Sequence, residues 1–195
     1  MTNIETLSKV ITERRSIKPQ NFNGKKIEKT TIDQILMLAD WAPTHGHTEP
    51  WRFVVMANDA VKRFCQDHAE MYKNNTPEEN FLKATYEKLY NQGNSTSHII
   101  AVFSKRGEKP NIQVKEEICA TACAVQNILL GAECLAISSF WSTGGQILKP
   151  AMKTYFNLLE ADTMLGILYL GYCDEPKRNG SRITPMEEKV MWYNH

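Results

Sequence analysis

Apolar residues recur at helical spacing near the start of the chain. They are Ile4, Leu7, Val10 and Ile11. Steps of three and four residues put such side chains on one face of a helix, so the pattern predicts a first helix that runs from a cap at Asn3 toward Arg14. A second helix is predicted by the capping-box pair Thr31 and Gln34, and Pro43 is expected to end it.

Short apolar segments between turn residues predict the strands, which are residues 53–56, 98–104, 137–141 and 164–172. Residues 114–135 form the most apolar helical segment, which we expect inside a core or a dimer interface. The pattern of residues 59–94 predicts two helices, one capped by Asp59 and one starting at residues 76–79. A further short helix is predicted over residues 150–156. Helices and strands mix without a regular βαβ alternation. We therefore expect an α+β fold whose mostly antiparallel sheet lies between helices.

Composition narrows the class of protein. The chain has 195 residues, of which 42% are hydrophobic, and no linker rich in Pro, Gly and Ser divides it, so we expect one domain over residues 1–195. Lys and Arg number 23 and Asp and Glu number 22. This balance gives no field that would attract nucleic acid or a membrane surface. No apolar run is long enough to span a membrane and no leader pattern is visible, so we expect a cytoplasmic protein.

The five cysteines form an odd and scattered set, which favours free thiols in a reducing compartment over a disulfide framework. Cys119 and Cys123 lie four residues apart on the predicted long helix and could begin a metal site. No histidine or second cysteine pair nearby completes four ligands. We therefore interpret both as small buried residues of a core helix.

Polar residues cluster where the first helix is predicted to end. Arg14, Arg15 and Ser16 offer many directed hydrogen-bond donors, as binding of a phosphate monoester requires. By themselves, two adjacent arginines at a helix end are also explained as solvated charges near the negative terminus. Lys18 alone is explained as a surface lysine.

A second polar segment, residues 42–51, follows the second predicted helix as a loop. Thr44 and His45 can supply hydrogen bonds to a ligand. His45, His47 and Glu49 would also suit a metal, but three such ligands in one loop are weak evidence, and we predict no metal site. Trp51 is expected in the core.

Two further segments carry candidate chemistry. Trp141, Ser142, Thr143 and Gly144 follow a predicted strand, and with Gly145 they form a loop of small residues whose backbone N–H groups can approach a ligand closely. Near the C-terminus, residues 181–188 contain Arg182, a further candidate for binding phosphate. Lys177 and Arg178 are expected to be solvated.

These four segments, in this order, resemble the flavin-binding segments of the FMN-dependent nitroreductase family. The resemblance implies a nitroreductase-like three-layer sandwich and a homodimer in which the C-terminal segment reaches the partner. It also implies FMN as cofactor and NADH or NADPH as a transient hydride donor. The acceptor would be a nitroaromatic, a quinone or a similar small molecule, reduced by a ping-pong mechanism.

The resemblance also implies a role for each candidate residue. Arg14, Arg15, Ser16 and Arg182 would bind the FMN phosphate and ribose, and Lys18 would face the pyrimidine edge. The residues that line the flavin from the neighbouring subunit would be Pro43, Thr44, His45 and His47. Those over its N5 side would be Trp141, Ser142, Thr143 and Gly144. No catalytic side chain is assigned, because the flavin carries the hydride chemistry.

The sequence departs from the family pattern at several of these positions. Thr44, His45, His47 and Glu49 stand where the family often has Ser, Ser, Asn and Gln, and Ser142 stands where some short relatives have arginine. Two alternatives therefore stay open. One is another flavin reaction on the same scaffold, such as reductive dehalogenation. The other is a flavin-binding or dimeric interaction protein with little turnover.

Overall fold

A computed structural model describes residues 2–194, which form a four-stranded antiparallel sheet with helices on both faces. The strands are β1 (Trp51–Ala57), β2 (His98–Ser104), β3 (Ser138–Ser142) and β4 (Thr163–Gly171), in the order β1-β2-β4-β3. The helices are α1 (Asn3–Glu13), α2 (Lys29–Ala39), α3 (Asp59–Asn74), α4 (Lys83–Asn91), α5 (Val114–Cys134) and α6 (Pro150–Tyr155). Single 3₁₀ turns lie at Pro19–Asn21, His45–His47, Glu78–Asn80 and Glu187–Lys189.

Both faces of the sheet are buried, as β2 illustrates. Ile100 and Val102 belong to a core cluster with residues of α2 and α5, whereas Ile99 and Ala101 belong to a second cluster with residues of α3 and α6. A strand buried on both faces reads as a continuous apolar run rather than an alternating one. The predicted α+β fold, an antiparallel sheet between two helical layers, is confirmed.

The segment that follows α1 lies against β3 at one edge of the sheet. Ser16 bridges Ser139 in parallel orientation, and the Ile17 N–H donates to the Ser139 carbonyl at 2.9 Å. Residues 16–18 are thereby placed along the strand that ends in Trp141 and Ser142.

The start of α1 differs from the sequence expectation. Thr2, not Asn3, is the N-cap: the Glu5 N–H donates to Thr2 Oγ1 at 3.3 Å, and the Thr2 N–H donates to the Glu5 carboxylate at 2.7 Å. A threonine followed three residues later by glutamate can form hydrogen bonds to two free backbone N–H groups. The helix therefore begins at Asn3, one residue earlier than a cap at Asn3 would allow.

The caps predicted for the next helices are wrong. α2 begins at Lys29, before Thr31, with Glu28 at the N-cap position and no side-chain cap, so Thr31 and Gln34 lie inside the helix. Asp59 is the first residue of α3 rather than its cap. Residues 76–79 lead only into a 3₁₀ turn, and α4 begins at Lys83.

The long apolar helix α5 is confirmed. Its buried residues are Glu117, Ala120, Thr121, Ala124, Val125, Ile128, Leu129, Gly131 and Ala132. Cys119 and Cys123 are both exposed, so their interpretation as buried core residues is wrong. α5 is apolar around more of its circumference than the sheet covers, and composition alone does not say which side turns outward.

Helix α1 buries none of its side chains, although its sequence is amphipathic. Ile4 is 67% exposed, and Trp41, just after α2, is 86% exposed. Apolar surface of this kind is typical of interaction sites. None of the helices described over residues 2–194 is both long and apolar enough to cross a membrane.

Candidate functional site

A cavity of about 370 Å³ opens beside the segment that follows α1. Its lining includes Arg15, Ser16, Lys18, Cys173, Glu175 and Arg178. The N-terminal candidates therefore face the start of the C-terminal segment, 155 or more residues away in sequence. Two arginines and a lysine against one carboxylate make the lining suitable for an anionic ligand.

Arg15 ties the C-terminal segment to the end of α1. Its Nε donates to the Arg178 carbonyl at 2.9 Å, and its Nη1 donates to the carbonyls of Thr12 and Arg14 at 2.6 and 2.8 Å. A Cβ added to Gly180 would stand 2.2 Å from Arg15 Nη2. The chain therefore passes directly over the guanidinium, and most of its donors are occupied by backbone carbonyls.

A smaller cavity of about 210 Å³ also borders Arg15 and is lined by Thr12, Arg15, Gly180, Ser181 and Arg182. It brings the C-terminal candidate Arg182 to the end of α1. Within residues 2–194, Arg182 makes one hydrogen bond: its Nη1 donates to the Ser181 carbonyl at 3.0 Å. Arg14 is half-buried at the same helix end.

The third candidate segment begins at the end of β3, at the sheet edge that residues 16–18 follow. Trp141 and Ser142 are the last strand residues, and Thr143 and Gly144 start the loop. No atom lies within 4 Å of the position that a Cβ on Gly144 would occupy. Residues 141–144 thus continue the strand that Ser16 bridges at Ser139, but they line neither cavity around Arg15.

The loop of residues 43–47 lies elsewhere, against the start of α5. Pro43, Thr44 and His45 line a cavity of about 430 Å³ with Glu116, Cys119 and Cys123, and none of these residues lines the cavities around Arg15. His45 Nδ1 lies 2.6 Å from Glu116 Oε2. The Gln113 N–H, first, and then His45 lower the pKa of Glu116. Because Nδ1 of His45 is paired with Glu116, Nε2 is the ring nitrogen that can bond a ligand.

The conformation of this loop is unusual. His47 and Glu49 have φ angles of 54° and 40°, in the left-handed region that non-glycine residues rarely adopt. Thr44 Oγ1 accepts the Glu49 N–H at 3.2 Å, and Lys109 Nζ donates to the Gly46 carbonyl. These contacts hold the strained backbone in place. Over residues 2–194, no group of three or more His, Cys, Asp or Glu side chains is arranged to hold a metal ion.

Sequence reasoning missed several residues of these sites. Arg178 was expected to be solvated, but it lines the larger cavity and its carbonyl accepts from Arg15. Lys177, also expected to be solvated, pairs with Glu133. The pairing of Glu116 with His45 has no local signal in the sequence, because the two residues are 71 positions apart.

His68 was missed as well, although the sequence carried a signal for it. It lies on the buried face of α3, whose members are Val61, Phe64, Cys65, His68, Ala69 and Tyr72. A histidine at a core position of an amphipathic helix calls for a buried hydrogen-bond partner. That partner is the N–H of Gln146, 3.1 Å from His68 Nε2.

Comparison with known proteins agrees with this architecture. The Nitroreductase family model matches residues 11–172. The chain therefore belongs to the nitroreductase family.

Individual relatives match along nearly the whole chain. The Bacillus subtilis protein YfhC, provisionally named an NAD(P)H nitroreductase, is 28% identical over 94% of this chain and 92% of its own length. The crystal structure of a nitroreductase-like family protein from Bacillus cereus superposes with a TM-score of 0.83 at 29% identity and covers both chains completely. The FMN-dependent nitroreductase NfnB of Mycobacterium smegmatis, solved with NADPH, shares the fold at a TM-score of 0.76 and 14% identity, over 99% of this chain and 100% of its own.

Proposed function

We propose that this protein is an FMN-dependent oxidoreductase that takes hydride from NADH or NADPH. The observation that carries the proposal is the cationic cavity at residues 15–18, which lies against the start of the C-terminal segment, where Ser16 bridges Ser139 of β3. Bound FMN would supply the redox chemistry, passing hydride from the nicotinamide to a nitroaromatic, quinone or similar small acceptor in a ping-pong sequence.

The residues around the cavity fit a flavin phosphate. Arg15 and Ser16 line the cavity, Arg182 lines the smaller cavity that shares Arg15, and Arg14 is half-buried at the same helix end. A dianion bound there would receive charge-assisted hydrogen bonds from these side chains. Lys18, two residues further on, would place a positive charge near the ring edge that becomes electron-rich on reduction. Trp141, Ser142, Thr143 and Gly144 would border the ring from the end of β3.

We propose further that the working unit is a homodimer. The loop of Pro43, Thr44, His45 and His47 does not reach the cavity of its own chain, and a second copy would bring it there. The exposed apolar face of α1 and the exposed side chains of Ile183, Met186 and Trp192 would then be covered. The C-terminal segment would extend onto the partner.

Other features of the proposal follow from composition and from the relatives. Each subunit would be one domain, because both core clusters share the same sheet. Free cysteines at all five positions favour a reducing compartment such as the cytoplasm. The name of the Bacillus subtilis relative supports NAD(P)H as donor, and the description of the Mycobacterium smegmatis enzyme supports FMN with NADPH.

The proposal is tested first by the absorption spectrum of the purified protein before and after anaerobic NADH or NADPH. We expect flavin bands at about 370 and about 450 nm that bleach on addition. A colourless protein that does not bind added FMN would overturn the proposal. It would favour an interaction protein.

The phosphate assignment is tested separately with Arg14→Ala and Arg182→Ala, and with Arg63→Ala on the exposed side of α3 as control. A charge-assisted hydrogen bond contributes about 1.5–3 kcal/mol, so each site variant should lose roughly tenfold to a hundredfold in FMN affinity. The control should bind FMN like the wild type. Equal affinity in all four proteins would remove both arginines from the phosphate site.

A further inference from the structure

His68 makes a contact that links the core of α3 to the loop after β3. It is 1% exposed, and its Nε2 accepts the N–H of Gln146, which is itself buried, at 3.1 Å. The loop segment 144–146 therefore has a backbone hydrogen bond to a side chain that lies 78 positions earlier in the sequence.

The hydrogen bond defines the state of the imidazole. Nε2 accepts from an N–H group, so the ring proton is on Nδ1. Burial lowers the pKa of His68 to about 4, which keeps the ring neutral at neutral pH. Within residues 2–194, Nδ1 has no hydrogen-bond partner. The unpaired Nδ1–H group is unfavourable for stability, and an apolar side chain at this position would not have that cost. We therefore infer that histidine stabilises this site through the hydrogen bond that Nε2 accepts.

The same imidazole edge shapes the turn before Gln146. Gly145 has a φ of 63°, and a Cβ added there would stand 2.7 Å from His68 Nε2 and 3.3 Å from Leu89 Cδ1. Gly144, by contrast, faces open space. One side of the turn is therefore pressed against α3 and α4, while the other side is free for a ligand.

We propose that His68 is a positioning residue for the flavin reaction: through its bond to the Gln146 N–H, it holds residues 144–146 in one conformation at the ring edge of the cofactor. The inference rests on the proposed function for the role of this loop. His68 itself is buried behind the loop and touches neither cofactor nor substrate.

The test compares His68→Leu, which removes the acceptor, with His68→Gln, whose side-chain oxygen can accept the same N–H. Thr121→Val is the control, because it removes a buried hydroxyl bonded to the Glu117 carbonyl in the middle of α5, away from the loop. Each protein is used as purified. Amide hydrogen exchange of residues 142–149 is measured together with kcat and KM for NADH or NADPH.

We expect exchange of the Gln146 amide to rise roughly tenfold in His68→Leu, with little change in β2 and β4, because the hydrogen bond that protects this amide is lost. We also expect kcat to fall by about tenfold with a smaller change in KM, because misplacement of a positioning element affects the reaction more than ground-state binding. His68→Gln should restore both quantities. Thr121→Val should change neither.

Three results would overturn the inference. The first is a Gln146 amide that exchanges as slowly in His68→Leu as in the wild type. The second is an equal rise in Thr121→Val, which would show general loosening. The third is faster loop exchange with unchanged kcat, which would leave His68 a structural residue only. Failure of the proposed function is a separate result, since it appears as absence of flavin in the wild type.

Discussion

Trp141 donates its indole N–H to the backbone carbonyl of Leu165, with nitrogen and oxygen 3.1 Å apart. The ring crosses from β3 onto β4 at Gly166, where a Cβ would stand 2.2 Å from the indole nitrogen. Beside this position the register of β2 against β4 shifts between Val102 and Phe103. The orientation of Trp141 is therefore set by the backbone of the neighbouring strand.

Replacing Gly166 should disturb this arrangement. In Gly166→Ala the new methyl group collides with Trp141, and alanine does not readily adopt the φ of 149°. We expect a loss of about 2 kcal/mol or more in the free energy of unfolding, measured by urea denaturation. Gly144→Ala is the matched control and should change this energy by less than about 0.5 kcal/mol, since nothing lies within 4 Å. Equal stability of the two variants would contradict the assigned contact.

The ion pair between Arg106 and Glu117 should be important for stability. Glu117 is buried, Arg106 Nη1 donates to it at 2.7 Å, and the Gly107 N–H donates to its other oxygen at 3.0 Å. Arg106→Leu leaves the buried carboxylate without its cation, which we expect to lower the unfolding free energy by about 3–5 kcal/mol. Lys29→Ala, which breaks the exposed Lys29–Asp33 pair, should cost at most about 1 kcal/mol. Similar losses in both variants would show that Glu117 is solvated.

Stability should decline in mild acid because of His68. Its pKa is about 4 in the folded chain against an ordinary 6.5, so the unfolded chain binds the proton first as pH falls. The contribution is complete above pH 6.5 and is lost as pH falls toward 4. His98, whose pKa is lowered by burial and then by Lys26, acts in the same direction.

The contribution of His68 to this pH dependence can be measured by comparing the wild type with His68→Gln. Between pH 7 and pH 5 the wild type should lose about 2 kcal/mol more than His68→Gln, whose side chain does not titrate. Urea denaturation at several pH values measures this difference. Parallel pH dependences in the two proteins would mean that His68 titrates normally.

The hydroxyl of Tyr169 should contribute nothing favourable to stability. It is fully buried, and within residues 2–194 it has no hydrogen-bond partner. Burial raises the pKa of Tyr169 well above its ordinary value. Tyr169→Phe should leave the unfolding free energy unchanged or raise it by up to about 1 kcal/mol.

Tyr72→Phe is the counterpart to this substitution. The Tyr72 hydroxyl accepts the Leu82 N–H at 3.1 Å, so its removal should cost about 1 kcal/mol. Thermal or urea unfolding of the two variants side by side provides the measurement. A larger loss in Tyr169→Phe than in Tyr72→Phe would reveal an unrecognised partner for Tyr169.

On the proposed function, Lys18 should tune the cofactor. Lys18→Ala removes a positive charge beside the ring, so the two-electron reduction potential of the flavin should fall by about 30–60 mV, the equivalent of about 1.4–3 kcal/mol. Potentials are measured by dye-coupled reduction, and dimer content by sedimentation. Lys88→Ala on the exposed side of α4 is the control. An unchanged potential in Lys18→Ala would exclude Lys18 from the ring edge.

Local patterns in the sequence determined most of the elements of this fold. Residues 98–104 and the long helix from Val114 were predicted almost as observed, because apolar runs and helical spacing are local signals that burial reinforces. Helix starts were less predictable. Thr2 and Thr31 are each followed three residues later by Glu or Gln, yet only Thr2 caps a helix, whereas Thr31 lies inside α2.

The sequence also indicated the candidate segments, through their resemblance to the flavin-binding segments of the nitroreductase family. Tertiary structure alone decided how they are arranged. Arg15 meets the carbonyl of Arg178, and His68 meets Gln146, only because the sheet order brings distant segments together. It likewise turned Cys119 and Cys123 outward. Hydrophobic patterning specifies that a surface is buried, whereas its partner is set by packing between elements far apart in the chain, for which no local signal exists.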